Sequence, residues 1–448
     1  MKINPSKTGT GTLREEILTL VSEYAQSSFE NEKQFIPGET PVPVSGKMIG
    51  KEEIQYSIDA CLDGWFTIGR FAERFEKEFS NFMEQRFCML TNSGSSANLL
   101  AISALTSPQL KERQLKKGDE VITVAAGFPT TVNPIIQNGL IPVFVDVNLD
   151  DYGIDIEAME KAWSPRVKAI MLAHTLGNPF NIKKVKEFVN KHNLWFIEDC
   201  CDAVGSKYNG HMVGTFGDIA TVSFYPAHHI TMGEGGAVLT KNAKLKKIIE
   251  SFRDWGRDCW CDPGKDNTCG KRFEWQYNEL PYGFDHKYIY SHIGYNLKIT
   301  DMQAAIGFAQ LKKLNKFVEM RNTNYKFLYE NLQSLSQFLY FLKPSEHSIP
   351  SWFGFPIMVK SDCPLNRNQI IKYLDAKKIG TRLLFGGNII KQPAFKEVNY
   401  RQVGELDNTN KIMRDVFWIG VQPSLTENMK KFMVNELSKI LMDGGNSV

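Results

Sequence analysis

From Phe87 onward, short apolar runs alternate with amphipathic stretches, and this alternation limits the possible folds more than any other feature of the chain. The runs are FCMLT, EVITVA, IPVFVDV, KAIMLA, LWFIED and IATVSF. Between them lie segments such as SSANLLAISAL and NIKKVKEFVNKHN, whose apolar residues recur at helical spacing. A strand that feeds a helix and then another strand returns parallel to its start. The pattern therefore predicts a mostly parallel, doubly wound α/β domain. Ligands in such sheets collect beyond the carboxyl ends of the strands.

The flanking regions differ. Residues 1–50 contain a predicted helix, TLREEILTLVSEYAQSSF, and a loop with Pro37, Pro41 and Pro43. Residues 252–290 interrupt the alternation with Cys-Trp-Cys, a further cysteine and many aromatic, Gly and Asp residues, and read as a long functional loop. A helix is expected from about Thr300 to Asn322. The expected division is an extension (1–50), a large α/β domain that includes the loop (51–300) and a smaller C-terminal α+β domain (301–448).

Composition excludes several classes of function. With 53 basic and 50 acidic residues the formal charge is +3, which offers no clustered positive surface for nucleic acid or a membrane. The first residues lack the apolar stretch and cleavage site of a signal peptide, and no apolar run approaches bilayer-spanning length. A soluble, cytoplasmic protein is expected. Without a sign of export, a disulfide framework is a poor account of the eight cysteines. Cys61, Cys88 and Cys363 stand alone and read as small buried hydrophobes; the other five are clustered.

The strand ends carry the chemistry. After FCMLT comes Asn92-Ser93-Gly94-Ser95-Ser96-Ala97, a small-residue turn entering a helix. It suits either a phosphate held by backbone N–H groups or a plain capped helix. After EVITVA, Phe128 suits stacking on a flat cofactor, although an aromatic at such a strand end more often simply packs. Asp199, ending LWFIED, is either a partner for a protonated ring nitrogen or a helix cap. After IATV comes Ser223-Phe224-Tyr225-Pro226-Ala227-His228-His229, then Gly233-Glu234-Gly235-Gly236.

Taken together, the order, spacing and strand-end placement of these segments resemble the fold-type-I, vitamin-B6-dependent superfamily of sugar aminotransferases and dehydratases, from about residue 55 to 440. The resemblance implies that Gly94, Ser95 and Ser223 bind the cofactor phosphate, that Phe128 stacks on its ring and that Asp199 pairs with the pyridinium nitrogen. That pairing keeps the ring an electron sink. GYNLKIT, with Asn296, resembles the segment that reaches the phosphate in the neighbouring subunit, which implies a homodimer with shared active sites.

One departure bears on the reaction. The superfamily's aminotransferases read Ser-Phe-x-Pro-x-Lys, and their lysine forms the resting Schiff base; here His228 stands at that position, five residues after Ser223. Imidazole forms no stable imine, so the expected cofactor is noncovalent pyridoxamine 5'-phosphate (the PMP form of PLP). A histidine still moves protons near neutral pH. The resemblance to the dehydratases implies that His228 takes the C4′ proton once the cofactor amine has condensed with a sugar ketone. His229 does not match the lysine position and reads as structural. TRLLFGGN (Thr381 to Asn388), followed by Gln392-Pro393, also resembles the dehydratases and is expected to line the sugar pocket.

Cys201, Cys259, Cys261 and Cys269 are separated by 57, one and seven residues. Four thiolates at such spacing suit a 2Fe-2S cluster or a structural zinc. The arrangement resembles the iron–sulfur sugar 3-dehydratases, which make 3,6-dideoxyhexoses from a CDP-linked 4-keto-6-deoxyhexose in lipopolysaccharide O-antigen biosynthesis. It implies that the C3 hydroxyl leaves as water and that an NADH-dependent flavin iron–sulfur reductase supplies electrons through the cluster. No GxGxxG turn occurs in strand–helix context, so the reductase is expected on another chain. Cys200 falls outside the spacing and reads as a core or neighbouring residue. The rival readings are a plain aminotransferase, a cluster-free GDP-4-keto-6-deoxymannose 3-dehydratase-like enzyme and a non-catalytic zinc-binding homologue.

Overall fold

The six apolar runs all become strands: β1 (Phe87–Thr91), β2 (Glu120–Val124), β3 (Ile141–Val145), β4 (Val167–Ala173), β5 (Trp195–Asp199) and β6 (Ile219–Ser223). The computed structural model describes residues 10–29, 34–46, 48–261 and 264–442. A further strand, β7 (Gly236–Thr240), follows the glycine turn. In the C-terminal third come β8 (Leu339–Phe341), β9 (Gly354–Val359), β10 (Thr381–Leu383), β11 (Arg401–Gln402) and β12 (Val416–Gly420).

The large sheet has the order β1-β7-β6-β5-β4-β2-β3-β11. Its strands are parallel except β7, which runs antiparallel to both β1 and β6. The exception has a local cause. A parallel return needs a crossover, usually helical, whereas residues 224–235 form only turns and bends that bring the chain back beside β6. β2, β5, β6 and β7 are buried along their whole length, as expected of a sheet covered on both faces. The smaller sheet, order β8-β9-β12-β10, is antiparallel throughout.

Alternation along β5 decides what each side chain meets. Ile197 packs with Leu100 and Ala101 of the helix Gly94–Leu105, whereas Phe196 packs in the core on the opposite face. Asp199 thus faces that helix, and Glu198 faces away. Glu198 is fully buried and accepts hydrogen bonds from the Gly214, Phe216 and Gly217 N–H groups and from His174 Nε2, at 2.6–3.2 Å. Cys200 lies beside this group, and packing there is tight: a Cβ on Gly217 would meet the Glu198 carboxylate at 3.3 Å. Glu198→Gln would turn an amide NH2 toward the backbone donors that now bond a carboxylate. A loss on the order of 3–5 kcal/mol, typical of breaking a buried charged hydrogen-bonded group, is expected from urea unfolding.

The expected helix near Thr300–Asn322 is two helices, Asp301–Leu311 and Leu314–Asn331. Lys313 sits at the break, with its ammonium on buried Glu53 at 2.7 Å. The first of these helices packs on Lys51–Cys61 and Arg70–Phe82. Its Asp301 carboxylate accepts from the N–H groups of Gly69, Phe71 and Ala72, capping a helix whose own cap, Gly69, has no side chain. The N-terminal helix spans Thr10–Phe29, and β11 returns from the C-terminal part to the large sheet. Near Val42 the chain bridges to Ile379, which lays residues 42–46 along the smaller sheet. No described helix is long and apolar enough to cross a membrane.

Candidate active site

The carboxyl ends of β2, β4, β5 and β6 open into a cavity of about 650 Å³. Its far wall comes from the smaller sheet (Arg382, Leu383, Trp418), from Phe353 just before β9, and from Val44 and Ser45. All the strand-end residues singled out by sequence, Gly94, Ser95, Phe128, Asp199, Ser223 and His228, line this one cavity.

At its floor, Ser93 caps the helix Gly94–Leu105 by accepting from the Ser96 N–H at 3.0 Å. Among the described residues the Gly94 and Ser95 N–H groups bond to nothing, leaving the positive helix end open. Ser223 stands against this turn so closely that a Cβ on Gly94 would overlap the Ser223 side chain. Two free N–H groups beside a hydroxyl can take an anion such as a phosphate, and only glycine at position 94 leaves room for this approach.

Asp199 is held by three donors: Asn98 Nδ2 and Thr131 Oγ1 at 2.8 Å to one oxygen, and the Cys201 N–H at 3.1 Å to the other. Thr221 Oγ1 in turn donates to Asn98 Oδ1 at 2.5 Å, so the carboxylate is braced from the next strand. It is not a helix cap. Phe128 is 52% exposed and meets Phe385 edge-on at 6.1 Å. A ring so exposed at a cavity mouth is placed for stacking more than for core packing.

His228 lies in the wall, its side chain 15% exposed. Nδ1 is buried and faces the Asp202 carboxyl at 3.5 Å without hydrogen-bond geometry, and the residue lines the cavity. Burial pushes the imidazole down to about 4, against a weaker opposing pull from Asp199. Burial, reinforced by Asp199, pushes Asp202 up to about 8. Near neutral pH both shifts favour the uncharged forms, so a neutral imidazole faces a protonated carboxyl. Behind them Arg321, fully buried, donates to the carbonyls of His228 (3.1 Å) and Phe353 (3.2 Å), fixing the backbone at the base. His229 points away and bonds the Ser351 carbonyl at 3.0 Å, a structural role. Among the described residues no lysine lines the cavity.

The pair has a testable pH signature in the cofactor-free protein. Between about pH 4 and 6.5 the unfolded chain binds more protons at His228 than the folded one, so this site's contribution to stability rises with pH through that window. Asp202 acts oppositely: the folded chain binds more protons between about pH 4 and 8, and its contribution falls as pH rises. NMR of the labelled imidazole is expected to show His228 neutral at pH 6. A titration midpoint near 6.5 would contradict the geometry.

Residues 47–438 match the DegT/DnrJ/EryC1/StrS aminotransferase family. The chain belongs to this family. It is 60% identical over 427 residues to the lipopolysaccharide biosynthesis protein RfbH of Salmonella typhimurium, covering 95% of this chain and 98% of that one. To the dTDP-4-dehydro-2,6-dideoxy-D-glucose 3-dehydratase of Saccharopolyspora spinosa it is 49% identical, over 96% of this chain and 92% of that one. Among solved structures, a GDP-4-keto-6-deoxymannose 3-dehydratase with bound GDP-perosamine matches with TM-score 0.80 and 27% identity, over 88% of this chain and 99% of that one. The Escherichia coli GDP-4-keto-6-deoxy-D-mannose 3-dehydratase with hydrated PLP matches with TM-score 0.78 and 28% identity, over 89% and 98%. The fold is the fold type I of these vitamin-B6 enzymes.

Within this family fold, the other expected site residues are distributed as follows. Arg382, Leu383 and Phe385 of the TRLLFGGN segment reach the cavity. Asn296 does not line it; exposed and tied by a bridge to Asp254, it stands outside its own chain's site. Of the four cysteines, Cys201 lines the cofactor cavity, whereas Cys259 and Cys261 line a separate one of about 240 Å³. The Cys261 N–H donates to Cys259 Sγ at 3.5 Å, Thr268 donates to Cys261 Sγ at 3.0 Å, and Cys269 Sγ lies 3.9 Å from His286 Nδ1. Asp258 anchors the loop by accepting from Tyr277 at 2.6 Å and from His286 Nε2 at 2.7 Å. Among the described residues no hydrogen bond joins Cys201 to the loop thiols.

Asp202 and Arg321 are the functional residues that sequence reasoning missed. Asp202 lies three positions beyond Asp199, where strand alternation has ended and no face can be assigned. Arg321 lies on an amphipathic helix, where an arginine reads as solvent-facing.

Proposed function

We propose that this chain removes the C3 hydroxyl of CDP-4-keto-6-deoxy-D-glucose, using pyridoxamine 5'-phosphate, in the formation of 3,6-dideoxyhexoses for O-antigen lipopolysaccharide. The observation that carries the reading is an imidazole, that of His228, in the cavity wall where transaminating relatives have a lysine. Relatives named as sugar 3-dehydratases and a relative named for lipopolysaccharide biosynthesis support it.

The cavity fits the cofactor on its own features: the Gly94–Ser223 cradle suits a phosphate, and the braced Asp199 carboxylate suits a ring nitrogen. When bound, pyridoxamine phosphate supplies an amine for the sugar ketone and an aromatic electron sink. The chain's residues do the rest. Gly94, Ser95 and Ser223 hold the phosphate, Phe128 covers the ring face, and Asp199 keeps the ring nitrogen protonated. His228 Nε2 accepts the C4′ proton, with Nδ1 turned toward Asp202. Leu383, Phe385 and Trp418 restrict water around the sugar. Asn296 serves the partner's site in a homodimer.

Cys201, Cys259, Cys261 and Cys269 would hold a 2Fe-2S cluster, which supplies one-electron transfer from a separate NADH-dependent flavin iron–sulfur reductase. The soft thiol donor set suits this group. The cluster-free GDP-sugar reading draws on the structural neighbours, but those four thiols favour the reductive one.

The test is turnover of CDP-4-keto-6-deoxy-D-glucose by anaerobically purified protein with the reductase and NADH, with and without pyridoxamine phosphate. A 4-keto-3,6-dideoxy product that requires the cofactor is expected. Product formation independent of the cofactor would sink the proposal.

A further inference from the structure

We infer that Arg382 anchors the diphosphate of the substrate, making β10 the strand that selects nucleotide-linked over free sugars; this rests on the nucleotide-sugar reading above. The argument begins with charge. The described wall of the cavity contains Asp199, Asp202 and Glu234, and a single arginine or lysine, Arg382. The cofactor phosphate already has its cradle at Gly94, Ser95 and Ser223. For a second anionic group entering the same cavity, Arg382 is the one guanidinium or ammonium of the described wall.

The guanidinium is also free to take it. Its one described hydrogen bond runs from Nη1 to the neighbouring Thr381 carbonyl at 2.8 Å, and no described carboxylate pairs with it. A guanidinium offers five donors in a planar fork that matches phosphate oxygens. Arg382 is exposed, so a bound diphosphate would not have to displace a buried partner.

The backbone beneath it is rigid. β10 pairs with β12 in the register Arg382↔Trp418, which places both side chains on one face of the sheet, and both line the cavity. Trp418 Nε1 donates to the Leu383 carbonyl at 3.0 Å, fixing the strand from the side. The indole lies over Gly354, where any Cβ would overlap its ring, so the wall is packed to this shape. A charge carried on a braced strand holds position better than one on a loop.

The experiment uses the full-length protein loaded with pyridoxamine phosphate, wild type and Arg382→Gln, with Arg382→Lys as the conservative variant. Calorimetry measures binding of CDP, dTDP, GDP and UDP, of cytidine, and of glutamate. Wild type is expected to bind at least one nucleoside diphosphate, and cytidine far more weakly. Arg382→Gln should weaken diphosphate binding at least tenfold, Arg382→Lys should recover part of it, and the turnover defect should fall on KM. The absorbance of bound cofactor and the unfolding midpoint should match wild type. If Arg382→Gln binds the diphosphate within twofold of wild type, the inference is overturned while the nucleotide-sugar reading stands. If the variant loses glutamate binding instead, Arg382 is a carboxylate anchor and the inference is equally overturned. If wild type binds none of the four diphosphates, the nucleotide-sugar reading itself fails.

Discussion

Replacing His228 with asparagine is expected to leave the cofactor bound and to slow exchange of its C4′ hydrogen with solvent by about 10²–10⁴-fold, the usual contribution of a positioned acid–base group. The expectation follows from position and protonation together. His228 lines the cavity and, pushed down to about 4 by burial, its ring is neutral throughout the neutral range and keeps one nitrogen able to accept a proton. Asparagine approximates the ring's outline and offers an amide, which cannot accept the proton. The phosphate cradle, Asp199 and Phe128 are untouched, so binding of pyridoxamine phosphate measured by equilibrium dialysis should stay within a few-fold of wild type. Exchange measured by deuterium incorporation in the presence of the keto sugar separates the two effects. Unchanged exchange would remove His228 from its role as base.

Replacing Cys259 or Cys261 with serine is expected to give the opposite dissociation. Reductive turnover should fall to background, because a hard hydroxyl replaces a soft thiolate and the iron is lost. C4′ exchange should persist, because neither residue lines the cofactor cavity. Iron, acid-labile sulfide and visible absorbance of anaerobic protein check the first half. Zinc in place of iron in the wild type would replace the cluster with a structural metal. Full turnover by the serine variants would remove the electron route through these cysteines.

The large sheet was legible because its strands are buried on both faces and read as continuous apolar runs, each ended by small or polar residues. Those ends converge in the folded chain on one cavity, and Gly94, Phe128, Asp199, Ser223 and His228 were grouped through the superfamily resemblance of their order and spacing. Other features left no local trace. LKKLNKF keeps helical spacing and has no Gly or Pro, yet the helix breaks at Lys312–Lys313, where an ion pair to distant Glu53 holds the turn. Glu198 looked like part of a strand end; its partners come from Gly214–Gly217, far along the chain. Spacing grouped Cys201 with the loop thiols, whereas the end of β5 carries it into the cofactor cavity beside Asp199. That placement puts one thiol of the expected set against the cofactor pocket itself. His228 was found because it occupies a position where related enzymes have a lysine; Asp202, whose carboxyl faces its ring at 3.5 Å, became visible only in three dimensions.

On the proposed function this chain eliminates an oxygen and does not install an amine. The most direct measurement uses CDP-4-keto-6-deoxy-D-glucose carrying 18O in its C3 hydroxyl, incubated with wild-type protein, pyridoxamine phosphate and glutamate, without reductase. Loss of the label to water with no amino sugar formed is the expected result. Retention of the label together with steady accumulation of a 4-amino sugar would contradict the account.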